Sequence, residues 1–403
     1  MPDLLKLAGI LALIIVLLRL RWNLGLVLIL ASAFTGLLFG RPPGDLALDA
    51  LGAAVDPLTL RLVAIVLLIT FLGEILRSTL KLEGLIRSLG DLFADPRWLL
   101  ALMPMLIGLL PMVGGAMFSA PMVDEAARRL DVDRERRTFL NYWFRHTMEP
   151  VFPLYPALVL AAGLMGVPVQ TLTVTQWPLF VAMVAGGALF GLAGIHKAQP
   201  SAVSRPERRE TVALLLQSIW PIALVLVLSV ALKVDLILSL LVAIGLLALV
   251  QRLGPRQLWA LARKTPLGVV PVIVGAMVFR RVLETSSAVE AVSQSLTGLG
   301  ISLGVIVFAV PFVPGLLTGL AAAAFAIGFP IVLSLVGPDA VSSGYALLAY
   351  AGGLAGIMLS PMHLCLSLTR VYFRAEWGGV YRRVIPAAVL LSLVGFVVLW
   401  IRQ

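Results

Sequence analysis

The sequence predicts an all-α polytopic membrane protein made of two inverted-topology repeats. Each repeat has five transmembrane helices, one of them broken, plus one re-entrant hairpin. Three observations carry that prediction. The first is composition: of 403 residues, 60% are hydrophobic and 13% charged, with a mean hydropathy of +1.02. Soluble domains carry about a quarter charged residues. The second is the stretch Leu109–Pro121, LLPMVGGAMFSAP, which sets two prolines, the pair Gly114-Gly115 and Ser119 at membrane depth. Proline removes a backbone donor and glycine loosens the chain. Backbone freed this way cannot face lipid, so it must be buried in protein or line a wet cavity, as the binding sites of secondary transporters do. The third is a second copy, LLTGLAAAAFAIGFP, at Leu316–Pro330.

A single shift of 207 positions relates the copies. It lays Pro104 on Pro311, Gly108 on Gly315, Leu109-Leu110 on Leu316-Leu317 and Phe118 on Phe325. The same shift lays Glu83 on Glu290 and Ser88-Leu89 on Ser295-Leu296. One register over so long a span marks two structural repeats, 1–200 and 205–403.

A spanning helix needs about 20 apolar residues. In the first repeat, spans are expected over Leu4–Leu18, Leu24–Phe39 and Thr59–Leu76, with an acidic loop at 40–57. Residues 77–95 read as an interfacial amphipathic helix. The hairpin follows at 98–123, in two arms each too short to cross alone. The charged run from Asp124 to Arg137 lies in water. A broken span covers 139–165, interrupted by Pro150, Pro153 and Pro156, because the residue before a proline is driven out of α geometry. Gln176–Ile195 ends the repeat, and the basic, proline-containing loop His196–Glu210 marks the boundary.

The second repeat runs on the same plan. Spans are expected over Thr211–Ala231, Leu236–Val250 and Pro266–Leu283, with a basic amphipathic segment at 252–264 and an interfacial helix at 284–297. Leu299–Pro314 and Gly315–Val336 form the second hairpin (299–336). The second broken span is 342–372, and Val384–Ile401 closes the chain. Five crossings per repeat is an odd number, so the second copy enters from the opposite side. With both termini outside, 23 of the 31 lysines and arginines fall on the cytoplasmic side. That asymmetry is what the positive-inside rule demands. It also explains the net charge of +10 without nucleic acid as a partner. A single cysteine, Cys365, lies in an apolar stretch, so neither a disulfide framework nor a cysteine metal cluster is expected.

Three motifs add a family resemblance: GLLPMVGGAMFSAPMV, NYWFRHTMEP (Asn141–Pro150) and SPMHLCL (Ser360–Leu366). Together they resemble a family of uncharacterised prokaryotic integral membrane proteins. Its plan is similar to that of the ion transporter superfamily, which includes gluconate, citrate and dicarboxylate carriers. The resemblance covers nearly the whole chain. It implies a homodimeric secondary carrier of the elevator type in the prokaryotic inner membrane. By position, it implies a site at Gly114, Gly115 and Ser119 in the first hairpin tip and Thr318 and Gly319 in the second, with helix breaks at Glu149-Pro150 and Ser360-Pro361. The sodium-coupled carboxylate carriers have a Ser-Asn-Thr type motif in each tip; here the two asparagines, Asn23 and Asn141, lie outside both hairpins.

The residues themselves suggest a chemistry. Half-helix N-termini at the breaks present free N–H groups and partial positive charge, which suit a small anion such as a carboxylate. Against this stands simple close packing by small residues. Ionisable groups inside a span are functional by default. His146 and Glu149, three apart, share a helix face and form a candidate proton relay. The competing reading is a structural pair of Arg145 with Glu149. His363 faces the same cavity or is a satisfied core histidine. A metal site is not expected: there are three histidines, 146, 196 and 363, with no cysteine partner nearby. No phosphate-binding G-x-x-x-x-G-K-[ST] loop occurs, so transport is expected to be coupled to H+ or Na+. An ion channel and an intramembrane enzyme using Glu149, His146 and His363 are the alternatives. No catalytic nucleophile and no cofactor are expected.

Overall fold

The computed structural model describes residues 2–79, 95–109, 115–128, 130–196, 219–286, 288 and 302–403. Those residues form helices and no strand. Helix α1 (Pro2–Arg19) precedes α2 (Leu24–Leu38), whose first turn is capped by Asn23 Oδ1 accepting from Gly25 N at 2.9 Å. The acidic segment expected as a loop is instead helix α3 (Pro43–Val55). Pro43 suits a first helical turn, and the run LALDALGAAV is rich in strong helix formers. Asp56 accepts from Leu58 N and opens α4 (Pro57–Thr79).

Next come α5 (Pro96–Gly108), capped by Asp95, then α6 (Ala116–Arg128) and α7 (Arg134–Arg145), capped by Asp133. Irregular turns occupy 146–155, and the chain resumes as α8 (Pro156–Met165). Gly166, at φ +67°, ends α8. After Pro168 the short α9 (Val169–Thr175) leaves at 106° to α8. Helix α10 (Trp177–Gly187) continues as a π turn over Ala188–Leu192.

Beyond the undescribed stretch come α11 (Ile219–Ala231), α12 (Leu236–Val250), α13 (Pro255–Ala262) and α14 (Val269–Thr285). Helix α15 (Leu303–Thr318) turns through Gly319 and Leu320 into α16 (Ala321–Val336), and the two pack together. The turn was expected at Pro314-Gly315. The helix runs through both and stops where Gly319 takes the left-handed φ of +66°, which ends a helix at little cost only for glycine. Helices α17 (Tyr345–Leu359) and α18 (Leu364–Phe373) flank a short break, and α19 (Trp377–Arg402) closes the fold.

The core sits where α15, α16 and α17 meet. Every residue from Ala346 to Met358 is buried, as in a helix surrounded by others. Close approach needs small residues: a Cβ on Gly352 or Gly356 would lie 2.2 Å from the carbonyl oxygen of Phe308 or Phe312. The same device joins α2 to α14, where a Cβ on Gly25 would lie 2.2 Å from Pro271 O. Asp49, in α3, accepts from Arg41 at 3.0 Å and from Thr285 in α14 at 2.9 Å, with Arg281 at 3.4 Å. Burial pushes its carboxyl up, but the bonds from Thr285 and Arg41 and the arginine charges outweigh that, so its pKa lies below the ordinary carboxylate range.

Among the described residues, three helices are long and apolar enough to cross a membrane, four if α8 and α9 count as one bent span. Several others, including α2, α12, α15 and α16, are apolar but of 10–17 residues. At 1.5 Å per residue these are shorter than the roughly 30 Å hydrocarbon core. The chain is thus a helical protein with the apolar spans of a membrane protein, though not with all ten expected crossings as continuous helices. The expected interfacial segments at 77–95 and 284–297 and the boundary loop fall largely outside the described residues. Segment 252–264 contains α13, whose one buried residue is Leu261.

Candidate functional site

The two helix interruptions meet. The first, after α7, carries His146 and Glu149; the second, between α17 and α18, carries Ser360 and His363. His146 Nε2 and His363 Nε2 lie 3.0 Å apart, with ring centroids at 4.9 Å and planes at 71°. Tyr142 stands beside both rings, at 5.0 and 5.5 Å.

Each ring is held by its other nitrogen. His146 Nδ1 lies 2.7 Å from Tyr142 O, and His363 Nδ1 lies 2.7 Å from Gly319 O. A carbonyl only accepts, so both Nδ1 atoms carry the hydrogen and donate. In the neutral rings both Nε2 atoms are then bare lone pairs, pointed at each other. Two acceptors at that distance repel unless a cation, either a proton or a metal ion, lies between them.

Glu149 Oε1 sits 3.6 Å from His146 Nε2 and accepts a short hydrogen bond from the Tyr155 hydroxyl. The Tyr350 hydroxyl donates to the Glu149 carbonyl at 3.1 Å. Glu149, at 3% exposure, and His146, at 1%, are sealed from solvent. Cys365 joins them: its Sγ and the ring nitrogens of His146 and His363 all lie within 4.8 Å of one another. The expectation that the histidines have no cysteine partner is therefore corrected. The sequence assigned Cys365 only to an apolar stretch, and the first turn of α18 swings it back toward the rings.

The second hairpin tip closes on this cluster. A Cβ on Gly319 would stand 2.5 Å from His363 N. Thr318 Oγ1 donates to Pro314 O at 2.7 Å and accepts from Leu320 N at 3.1 Å, so it shapes the tip. Ser360 is buried, and its Oγ accepts from Met362 N at 3.2 Å. In the first hairpin, Gly115 leaves room for Arg145: a Cβ there would lie 2.2 Å from Nη2. Gly108 does the same for the Arg145 carbonyl, at 2.1 Å. Ser119 is buried and donates to Ala116 O at 3.3 Å, a carbonyl that also accepts from Asn141 Nδ2 at 2.9 Å. Its hydroxyl therefore serves the hairpin, and nothing joins it to the histidine pair. Gly114 lies outside the described residues.

The N-termini of α8, α16 and α18 begin at Tyr155, Leu320 and His363, and none has a side-chain cap. Their first N–H groups keep the capacity to bind an anion. Sequence reasoning missed Tyr155, Tyr350 and Tyr142, whose hydroxyls are spent around the breaks. No spacing pattern ties them to Glu149; only Cys365, two residues after His363, carried a local signal. A cleft of about 150 Å³ elsewhere on the molecule is lined by Asp56, Arg280, Arg281 and Glu284, and it shares no residue with the histidine cluster.

No curated protein matches the chain. Residues 3–401 match the family DUF401, described as a protein of unknown function. With virtually its whole length matched, the chain belongs to the DUF401 family.

Proposed function

We propose that this protein is a secondary active transporter that moves a small anionic, carboxylate-type organic solute across the cytoplasmic membrane of a prokaryote. In this reading it is driven by an H+ or Na+ gradient, works by an elevator-type mechanism and acts as a homodimer. The observation that carries the reading is the meeting of the two helix interruptions, His146 to His363 at 3.0 Å, beside the buried polar residues Glu149 and Ser360. Irregular backbone and ionisable groups at this depth are expensive in a membrane protein and mark solute pathways.

The order and packing of the helices support it further. Shifted by 207 positions, the start of α5 falls on that of α15, both ends of α6 and α8 fall within two residues of those of α16 and α18, and α7, at 341–352, overlaps the first half of α17. The packing follows the same exchange. Helix α2 packs on α14 and α12 on α4; α8 packs on α16 and α18 on α6. Each half lends a helix to the other, as a pseudo-two-fold arrangement requires. The uncapped N-termini of α8, α16 and α18 favour an anionic solute.

The test is uptake into proteoliposomes. A thermal-shift screen of carboxylates, amino acids and phosphorylated metabolites, with sodium and pH varied, selects the solute. A carrier gives saturable uptake, stimulated by an imposed H+ or Na+ gradient, and counterflow of labelled against unlabelled solute. Unitary currents in planar bilayers, or no flux of any solute that stabilises the protein, would overturn the reading.

A further inference from the structure

The pair of opposed lone pairs at His146 and His363 needs a cation, and the surroundings select which kind. Two imidazole nitrogens and one sulfur converge: a ring nitrogen of His146, a ring nitrogen of His363 and Cys365 Sγ lie within 4.8 Å of one another, and the two Nε2 atoms are 3.0 Å apart. Two ligands on one tetrahedral ion, with bonds of 2.0–2.3 Å, stand about 3.3–3.6 Å apart. The nitrogens at 3.0 Å are slightly inside that spacing, and the sulfur lies within 4.8 Å of a nitrogen of each ring.

The outer shell is already built. Each ring donates its Nδ1 hydrogen to a backbone carbonyl, Tyr142 O or Gly319 O, at 2.7 Å. That arrangement fixes the tautomer and the ring plane of a metal-bound histidine and raises its basicity as a ligand. A bridging proton would need only the two nitrogens. It would give no reason for a sulfur beside them, or for rings braced on two different backbone segments.

Two groups can offset a divalent ion here: the Cys365 thiolate and the Glu149 carboxylate, 3.6 Å from His146 Nε2. In a low-dielectric interior an ion without such partners is costly. Glu149 stands beside the cluster, at that distance from His146 Nε2, and accepts a hydrogen bond from the Tyr155 hydroxyl. Nitrogen and thiolate donors together select a borderline-soft ion over Mg2+, Ca2+ or Na+.

We propose that His146, His363 and Cys365 bind a tetrahedral transition-metal ion of the Zn2+ class, with the fourth position left open and Glu149 beside the His146 ligand. Such an ion pins the break after α7, the second hairpin tip and the start of α18 to one point. The inference rests on this geometry alone and holds whatever the protein transports.

The test uses the full-length protein, purified in detergent with its cysteine kept reduced and stripped with a chelator, then titrated with Co2+ as a spectroscopic probe of Zn2+ sites. One Co2+ per chain binds, with a thiolate-to-cobalt charge-transfer absorption in the near ultraviolet, and Zn2+ displaces it. Cys365→Ser loses the charge-transfer absorption and keeps the weak visible bands. His146→Gln and His363→Gln lose stoichiometric binding. His196→Gln, at a histidine remote in sequence from the cluster, changes nothing. If a histidine variant does not fold, Cys365→Ser and His196→Gln still decide the matter. A wild-type protein that binds no Co2+, as expected if the rings share only a proton, overturns the proposal. So does a charge-transfer absorption that survives Cys365→Ser, or binding abolished by His196→Gln.

Discussion

At the scale of single residues, backbone and charge make separable predictions. Gly319 combines two constraints: a left-handed φ of +66° and a neighbour, His363 N, 2.5 Å from where a Cβ would go. Gly166 has the first constraint alone, at φ +67° with nothing within 4 Å. A left-handed alanine costs about 1–2 kcal/mol. Gly166→Ala should therefore lower thermal stability by about that much, and Gly319→Ala by distinctly more, both read from melting curves in detergent. Equal losses would mean that the tip does not press on His363. Asp49 provides the pH dependence. Its folded pKa lies below the ordinary value, so the carboxylate contributes stability that is complete above about pH 4 and drains away as pH falls through the folded pKa. Asp49→Asn should cost about 1–3 kcal/mol at neutral pH, and the gap to wild type should narrow in acid. A gap that stays constant down to pH 3 would contradict this. Part of the site was legible at this scale. His146 and Glu149 share a face by spacing, and both are ionisable groups in an apolar segment. The contact between His146 and His363 spans 217 positions, and no local pattern reports a contact that the fold alone creates. The same holds for Tyr155, whose hydroxyl reaches Glu149 only because the chain doubles back at Pro150–Pro156.

At the scale of elements, small residues set the helix spacing. Gly352 meets Phe308 O at 2.2 Å from its would-be Cβ, while Gly245 in α12 has nothing within 4 Å. Gly352→Ala should push α17 off α15 and cost about 1–3 kcal/mol. Gly245→Ala should be neutral or stabilise by up to about 1 kcal/mol, since it only removes chain entropy. A melting temperature that falls equally for both would show that α15 and α17 are not packed through glycine. Proline and glycine placed the interruptions well from sequence: the first falls in 146–155 and the second in 360–363, each where an X–Pro step forbids continued helix. Boundaries were harder. Pro311 and Pro314 lie inside α15 and not at its end, because a helix packed on both sides tolerates a proline that a lone helix would not. The α3 helix was hidden by its acidic residues: Asp49 reads as solvent-facing until Arg41, Thr285 and Arg281 surround it.

At the scale of the molecule, the arrangement makes a topological demand. On the proposed reading, two inverted repeats of five crossings would bring the amino and carboxyl termini to the same face, and the basic loops would place that face outside. An impermeant label should reach tags before Pro2 and after Gln403 in intact cells, and should reach neither in inverted vesicles. Tags on opposite faces would break the inverted-repeat account. The proposed repeat rests on one register shift of 207, in which prolines and glycines match while apolar residues interchange freely. What no composition could tell is which faces of the two halves meet. The central claim is that their interruptions enclose one site opened to each side of the membrane in turn. Met362, beside His363 in the second interruption, is 68% exposed, so Met362→Cys reports access to that site, while buried Cys365 stays silent. The most direct measurement is the rate at which a membrane-impermeant thiol reagent modifies Met362→Cys in sealed vesicles of each orientation. The account predicts modification from either face. Modification from one face only, in every ion and solute condition, would contradict it.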